Sequence, residues 1–81
     1  MRIRFSRQAD KQYAGLPASL RARVDKQFDL LTQNLRHPSI QAKKYGGMDD
    51  VWQGRVNRDY RFYFQITRDS YDILAIIPHP K

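Results

Sequence analysis

The sequence of 81 residues contains no cysteine. That absence removes disulfide frameworks, thiolate catalysis and cysteine-based zinc sites together, and it fits a reducing compartment. No apolar run approaches the length that spans a bilayer, and Met1 leads into RIRF with no apolar signal region. The expectation is a soluble, cytoplasmic protein without a membrane role. Phosphate-loop chemistry is missing too, because Gly46-Gly47 lacks the GxxxxGK[ST] spacing and a following helix. Asp49-Asp50 has no third carboxylate or histidine at useful spacing, so the pair reads as a solvated turn, and no metal or other cofactor is expected. Internal repeats, linkers and low-complexity stretches are absent, which leaves one domain over residues 1–81.

What the chain does have is positive charge and aromatic rings. Fifteen Lys and Arg against eight acidic residues give a net charge of +7. Such a balance points to a polyanion or an acidic protein as partner. With 41% hydrophobic and 28% charged residues the chain is globular rather than disordered. Five Tyr, four Phe and one Trp help so short a chain to build a core.

Periodicity predicts an α+β order. Arg2 to Phe5 alternates polar and apolar, as a short strand does. Ser6 is placed to cap a helix from Arg7 that ends at Gly15, with Ala9, Tyr13 and Leu16 on its buried side. Pro17 suits the start of a second helix, Ala18 to Leu35. Its stripe is Leu20, Val24, Phe28 (with Gln27 at the edge), Leu31 and Leu35. Arg21, Arg23 and Lys26 then form a solvated face. Pro38 disfavours helix at His37, a lone loop histidine with no assigned role. Gln41 to Asp50 reads as a loop or short edge strand.

A hairpin from Val51 to Ile66 follows, with Arg55, Arg58 and Arg61 inside seven residues. A loop of Asn57, Arg58 and Asp59 sets Val56 opposite Tyr60, Arg55 opposite Arg61, Gln53 opposite Tyr63 and Trp52 opposite Phe64. One face then carries Gln53, Arg55, Arg61 and Tyr63; the other carries Trp52, Val56, Tyr60, Phe62 and Phe64. A two-residue loop would mix charge into the apolar face, which sheets avoid. Two arginines directly opposite repel unless an anion lies between them, and a phosphate would. Arg68-Asp69-Ser70 turns the chain into a last strand, Tyr71 to Ile77. It is apolar on both faces, as a central strand is. The parity of that turn decides where His79 points: an odd loop puts it on the Arg61 face, an even loop does not, and the residues leave both open.

Taken in order, LPASLRARV, NLRHPS and AKKYGGMDDVWQGRVNRDYRFYFQI resemble the RelE/ParE superfamily of bacterial toxin–antitoxin toxins, over nearly the whole chain. The YoeB branch is the most similar. The resemblance implies a small RelE-like α+β fold: an N-terminal strand, two helices, then a three-stranded antiparallel meander, one sheet packed on the helices. It also implies a metal-independent endoribonuclease that cleaves mRNA on the ribosome and so inhibits translation. Arg61 matches the arginine that faces the scissile phosphate, Arg55 a basic first-strand position, and His79 the near-terminal histidine of YoeB-like members. Lys43 and Lys44 lie near basic or acidic positions beside the RNA; Arg58, Tyr63 and Lys81 complete the candidate RNA-binding set. The sequence departs from YoeB at Ala42, where a catalytic glutamate is usual, and at Pro80, where a tyrosine is usual. Gln53 and Arg55 replace the lysine pair of RelE.

RNA supplies its own nucleophile, the 2′-hydroxyl, so such an enzyme needs only proton transfer and charge stabilisation. His79 can exchange protons near neutral pH, and Arg55 with Arg61 can neutralise the pentavalent phosphorane. Competing structural readings make His79 a plain chain-end residue and Arg61 a salt-bridge partner of Asp59 or Asp72. The rival functions are a ParE-like inhibitor of DNA gyrase, a toxin that has lost activity, and a plain nucleic-acid-binding module. Either toxin reading implies a cognate acidic antitoxin in a hetero-oligomer with this chain.

Overall fold

A computed structural model describes residues 1–45 and 50–79. Strand β1 (Arg2–Phe5) leads into helix α1 (Arg7–Ala14) and helix α2 (Ala18–Gln33). Strands β2 (Lys43–Lys44), β3 (Trp52–Arg55), β4 (Tyr60–Ile66) and β5 (Ser70–Pro78) follow. The sheet order is β1-β5-β4-β3-β2, with β1 parallel to β5 and the other pairs antiparallel. The expected meander is β3–β4–β5. The strand count exceeds expectation by one, because the Lys43–Lys44 segment pairs with β3 as an edge strand.

Local chemistry explains the helix ends. Ser6 Oγ accepts the Ala9 N–H at 3.0 Å and caps α1. The Pro17 carbonyl accepts the N–H groups of Leu20 and Arg21, opening α2. Helix α2 stops at Gln33, two residues before the expected end. Asn34 turns extended there, and its side chain accepts the Arg36 N–H at 3.0 Å, a local bond that competes with the helix.

Between the helices and one face of the sheet lies the core, where Val24, Phe28 and Leu31 of α2 meet Val56, Phe62, Phe64, Ile73 and Ile76. Phe28 and Phe62 pack edge to face at 5.0 Å. Gly54 lies opposite Phe62, whose ring fills the space a Cβ would need: the nearest ring atom would be 2.3 Å away. This glycine lets the ring cross β3.

The β3–β4 register is the one expected, with Arg55 facing Arg61 and Gln53 facing Tyr63. The last turn is even: the Thr67 N–H pairs with the Ser70 carbonyl, leaving Arg68 and Asp69 at the tip. An even turn alone would send His79 away from Arg61. A bulge at Leu74 reverses this, since Phe64 pairs with Ile73 while Tyr63 pairs with Ala75. The extra residue also lets Ile73 and Ile76, three apart, both reach the core. Ile77 and His79 therefore share the side of Arg61. Ser6 secures the bulge by donating its hydroxyl to the Leu74 carbonyl at 2.9 Å.

Candidate functional site

The sheet face away from the helices holds a cleft of roughly 150 Å³ lined by Gln41, Lys43, Gln53, Arg55, Arg61 and His79. They come from four stretches of the chain: the segment of Gln41 and Lys43, strand β3, strand β4 and the residue after β5. Arg55 is clamped from both sides: its N–H donates to Ile40 O at 2.7 Å, and its carbonyl accepts Gln27 Nε2 at 2.7 Å. Gln27 is fully buried; its amide also donates to Ser39 O and accepts the Ser39 hydroxyl. One turn earlier on α2, Arg23 Nε donates to the Val56 carbonyl at 2.9 Å. Arg23 is thus half-buried and structural, which corrects the solvated-face reading; a polar pair four apart beside an apolar stripe was the available signal.

Arg61 serves the fold itself. Its Nη1 donates to the carbonyls of Asn57, Tyr60 and Arg58 and so ties down the hairpin loop. The Asn57 side chain closes that loop from the other direction, accepting the N–H groups of Asp59 and Tyr60. The salt bridge to Asp59 or Asp72 does not form. Asp72 instead accepts the Ser70 hydroxyl and lies 3.9 Å from Arg4. Guanidinium offers five N–H donors, so a single nitrogen spent on the loop leaves donors for an anion. His79 is held by its backbone, whose N–H donates to Asp59 O at 2.7 Å, while the exposed ring lines the cleft. Gln41 has a φ of 51°. An L residue there is strained by roughly 1 kcal/mol, and the hydrogen bond from Arg55 to the preceding carbonyl holds it in place.

The structure therefore gathers Arg55, Arg61, His79 and Lys43, with Tyr63 next to them on the same face. Burial pushes the Tyr63 phenol above its ordinary 10.0; the neighbouring Tyr45 adds to this and Arg61 opposes it. Lys44 alternates to the other side, where its ammonium lies 6.0 Å over Trp52. Arg58 is exposed at the loop tip. Lys81 and Pro80 lie outside the described residues, as do Gly46-Gly47 and Asp49. Sequence reasoning missed Gln41 and the cleft role of Gln53. His37 has a local task, its Nδ1 accepting the Ser39 N–H at 3.2 Å. Among the described residues no helix is long and apolar enough to cross a membrane.

This architecture is similar to that of a YoeB/ParE toxin from Agrobacterium tumefaciens, at a TM-score of 0.84 and 12% identity over 99% of this chain and 100% of that one. It is similar too to the isolated RelE toxin of E. coli, with TM-score 0.77 and 18% identity over 98% and 84% of the two chains. The toxin–antitoxin complex of YoeB with YefM from Staphylococcus aureus matches at 0.79 and 17% identity, covering 96% and 95%. These likenesses define the class, a RelE/ParE-type toxin fold. No curated protein matches the chain in sequence. The family model for the ParE toxin of the type II toxin–antitoxin system parDE matches residues 3–80. The chain belongs to that family.

Proposed function

We propose that this toxin is a metal-independent endoribonuclease that cleaves mRNA on the ribosome. The observation that carries the reading is the meeting of Arg55, Arg61, Lys43 and His79 around one small cleft on an open sheet face. An arginine pair in direct register is unfavourable without an anion, and the scissile phosphate is that anion. The 2′-oxygen attacks phosphorus, the His79 imidazole takes the 2′-hydroxyl proton, and the bond from phosphorus to the 5′-oxygen breaks. Arg55 and the remaining donors of Arg61 neutralise the non-bridging oxygens, and Lys43 supplies the proton to the leaving oxygen. The products are a 2′,3′-cyclic phosphate and a 5′-hydroxyl. The sequence contains no glutamate, and Ala42 stands where YoeB-like toxins carry one, so the imidazole carries the base role alone. In the cell a cognate antitoxin, acidic against this +7 chain, would cover the face; the matched YoeB is itself seen with YefM.

A second reading is a ParE-like inhibitor of DNA gyrase, favoured by the family model and by the use of Arg61 Nη1 within the fold. The two readings part in one experiment. Purified chain is added to programmed ribosomes and, separately, to a gyrase supercoiling reaction, alongside His79→Ala and Arg61→Ala. The nuclease reading expects mRNA cleavage that falls by about a hundredfold in each variant, the usual size of a proton-transfer or charge contribution. Inhibited supercoiling without cleavage, unchanged in His79→Ala, would replace it with the gyrase reading.

A further inference from the structure

Beyond the cleft the open face continues into an aromatic pair. Along β4, Tyr63 follows Arg61 by one side-chain repeat, about 7 Å. Tyr45 reaches it from the edge of the sheet, past β2. Its N–H donates to the Val51 carbonyl at 2.8 Å, so strand-like pairing runs one step past Lys44. Alternation then returns Tyr45 to the face that carries Lys43. The two rings meet edge to face, centroids 5.2 Å apart and planes at 73°. Tyr45 remains 43% exposed, one of the few large apolar rings left open to solvent. The core aromatics, Phe28, Phe62 and Phe64, lie on the opposite side of the sheet, so this ring is not part of the core between sheet and helices. Gln53 sits in register between Lys43 and Tyr63 and joins the pair to the cleft.

We infer that Tyr45 and Tyr63 form a nucleobase-stacking subsite for a single-stranded nucleic acid whose phosphates lie over Arg55 and Arg61. The inference rests on the nucleic-acid reading of the cleft. A base laid parallel to one ring turns its edge to the face of the other, an arrangement that suits the aromatic quadrupole. Every base has such a face, so the subsite adds affinity with little choice of sequence. The spacing of one strand repeat from the arginines gives a base adjacent to the bound phosphate a surface to rest on.

The test uses fluorescence anisotropy with a short 2′-O-methyl RNA, which lacks the attacking hydroxyl, and a matched strand of abasic sugars. The whole chain should bind the base-bearing strand on the order of tenfold more tightly than the abasic one. Tyr45→Ala should erase that difference and bind the abasic strand as the parent chain does, while Tyr45→Phe should keep it. Equal binding of both strands by the parent chain would overturn the subsite. So would a Tyr45→Ala variant that retains the base preference, or one that loses affinity for both strands alike. Cleavage on ribosomes is scored separately. A chain that prefers bases but never cleaves sinks the nuclease and keeps the subsite; a chain that cleaves with no base preference does the reverse.

Discussion

The side-chain amide of Gln27, fully buried in α2, spends its donors on the carbonyls of Ser39 and Arg55 and accepts the Ser39 hydroxyl. A leucine of similar size would extend the apolar stripe yet leave those partly buried partners unpaired. Because an orphaned buried polar group costs about 1–3 kcal/mol, the amide outweighs the burial that leucine would add. Gln27→Leu should therefore lower stability by roughly 2 kcal/mol in urea denaturation. It should also weaken the cleft, since Arg55 and the strained Gln41 are both held through the same loop. An unchanged denaturation midpoint would show that water replaces the amide. The backbone of the cleft is thus held by a residue that does not line it.

At the scale of elements, the bulge at Leu74 decides what the sheet face contains. It moves His79 to the side of Arg61 and admits both Ile73 and Ile76 to the core. Ser6 ties this feature to α1, accepting from Ala9 N–H and donating to Leu74 O. Ser6→Ala removes a helix cap, worth about 1 kcal/mol, and unpairs the carbonyl of the bulge. We expect a loss of about 1–2 kcal/mol, read as a lower thermal midpoint. A serine replaced at no cost would mean the bulge stands without the helix. The same element shows where sequence reading ends. Helix spans follow from apolar spacing, and the β3–β4 register follows because a two-residue loop would bring Arg55 onto the face of Phe62 and Phe64. Both are local patterns, so both were legible. A bulge in a strand apolar on both faces, Ile73 to Ile77, breaks no such pattern. The bulge carbonyl's side-chain partner, Ser6, lies 68 residues away, and spacing cannot express that. Arg23 was misread for a similar reason: what it bonds is the backbone carbonyl of Val56, just past β3, which carries no signature in the sequence.

Across the whole molecule, charge is divided unevenly over the sheet's two sides. The face away from the helices brings Lys43, Arg55 and Arg61 to one cleft, and Lys44 faces the other way over Trp52. Net charge alone, +7, would predict broad attraction to any polyanion. The structure makes a narrower demand, because only cations that reach the same phosphates release counterions together. Three such cations should give a slope of about −2 for log binding constant against log salt, at about −0.7 per contact on a single strand. Removing Lys43, as Lys43→Ala, should flatten the slope by about 0.7, whereas Lys44→Ala should leave it nearly unchanged. Titrating a single-stranded oligonucleotide from low to physiological salt measures all three slopes. Equal effects of the two lysines would mean that the field of the whole chain, and not the cleft, holds the strand. A larger effect of Lys44 would move the path of the nucleic acid to the sheet's edge. Unequal effects in the predicted order would tie binding to the face that strand alternation has built.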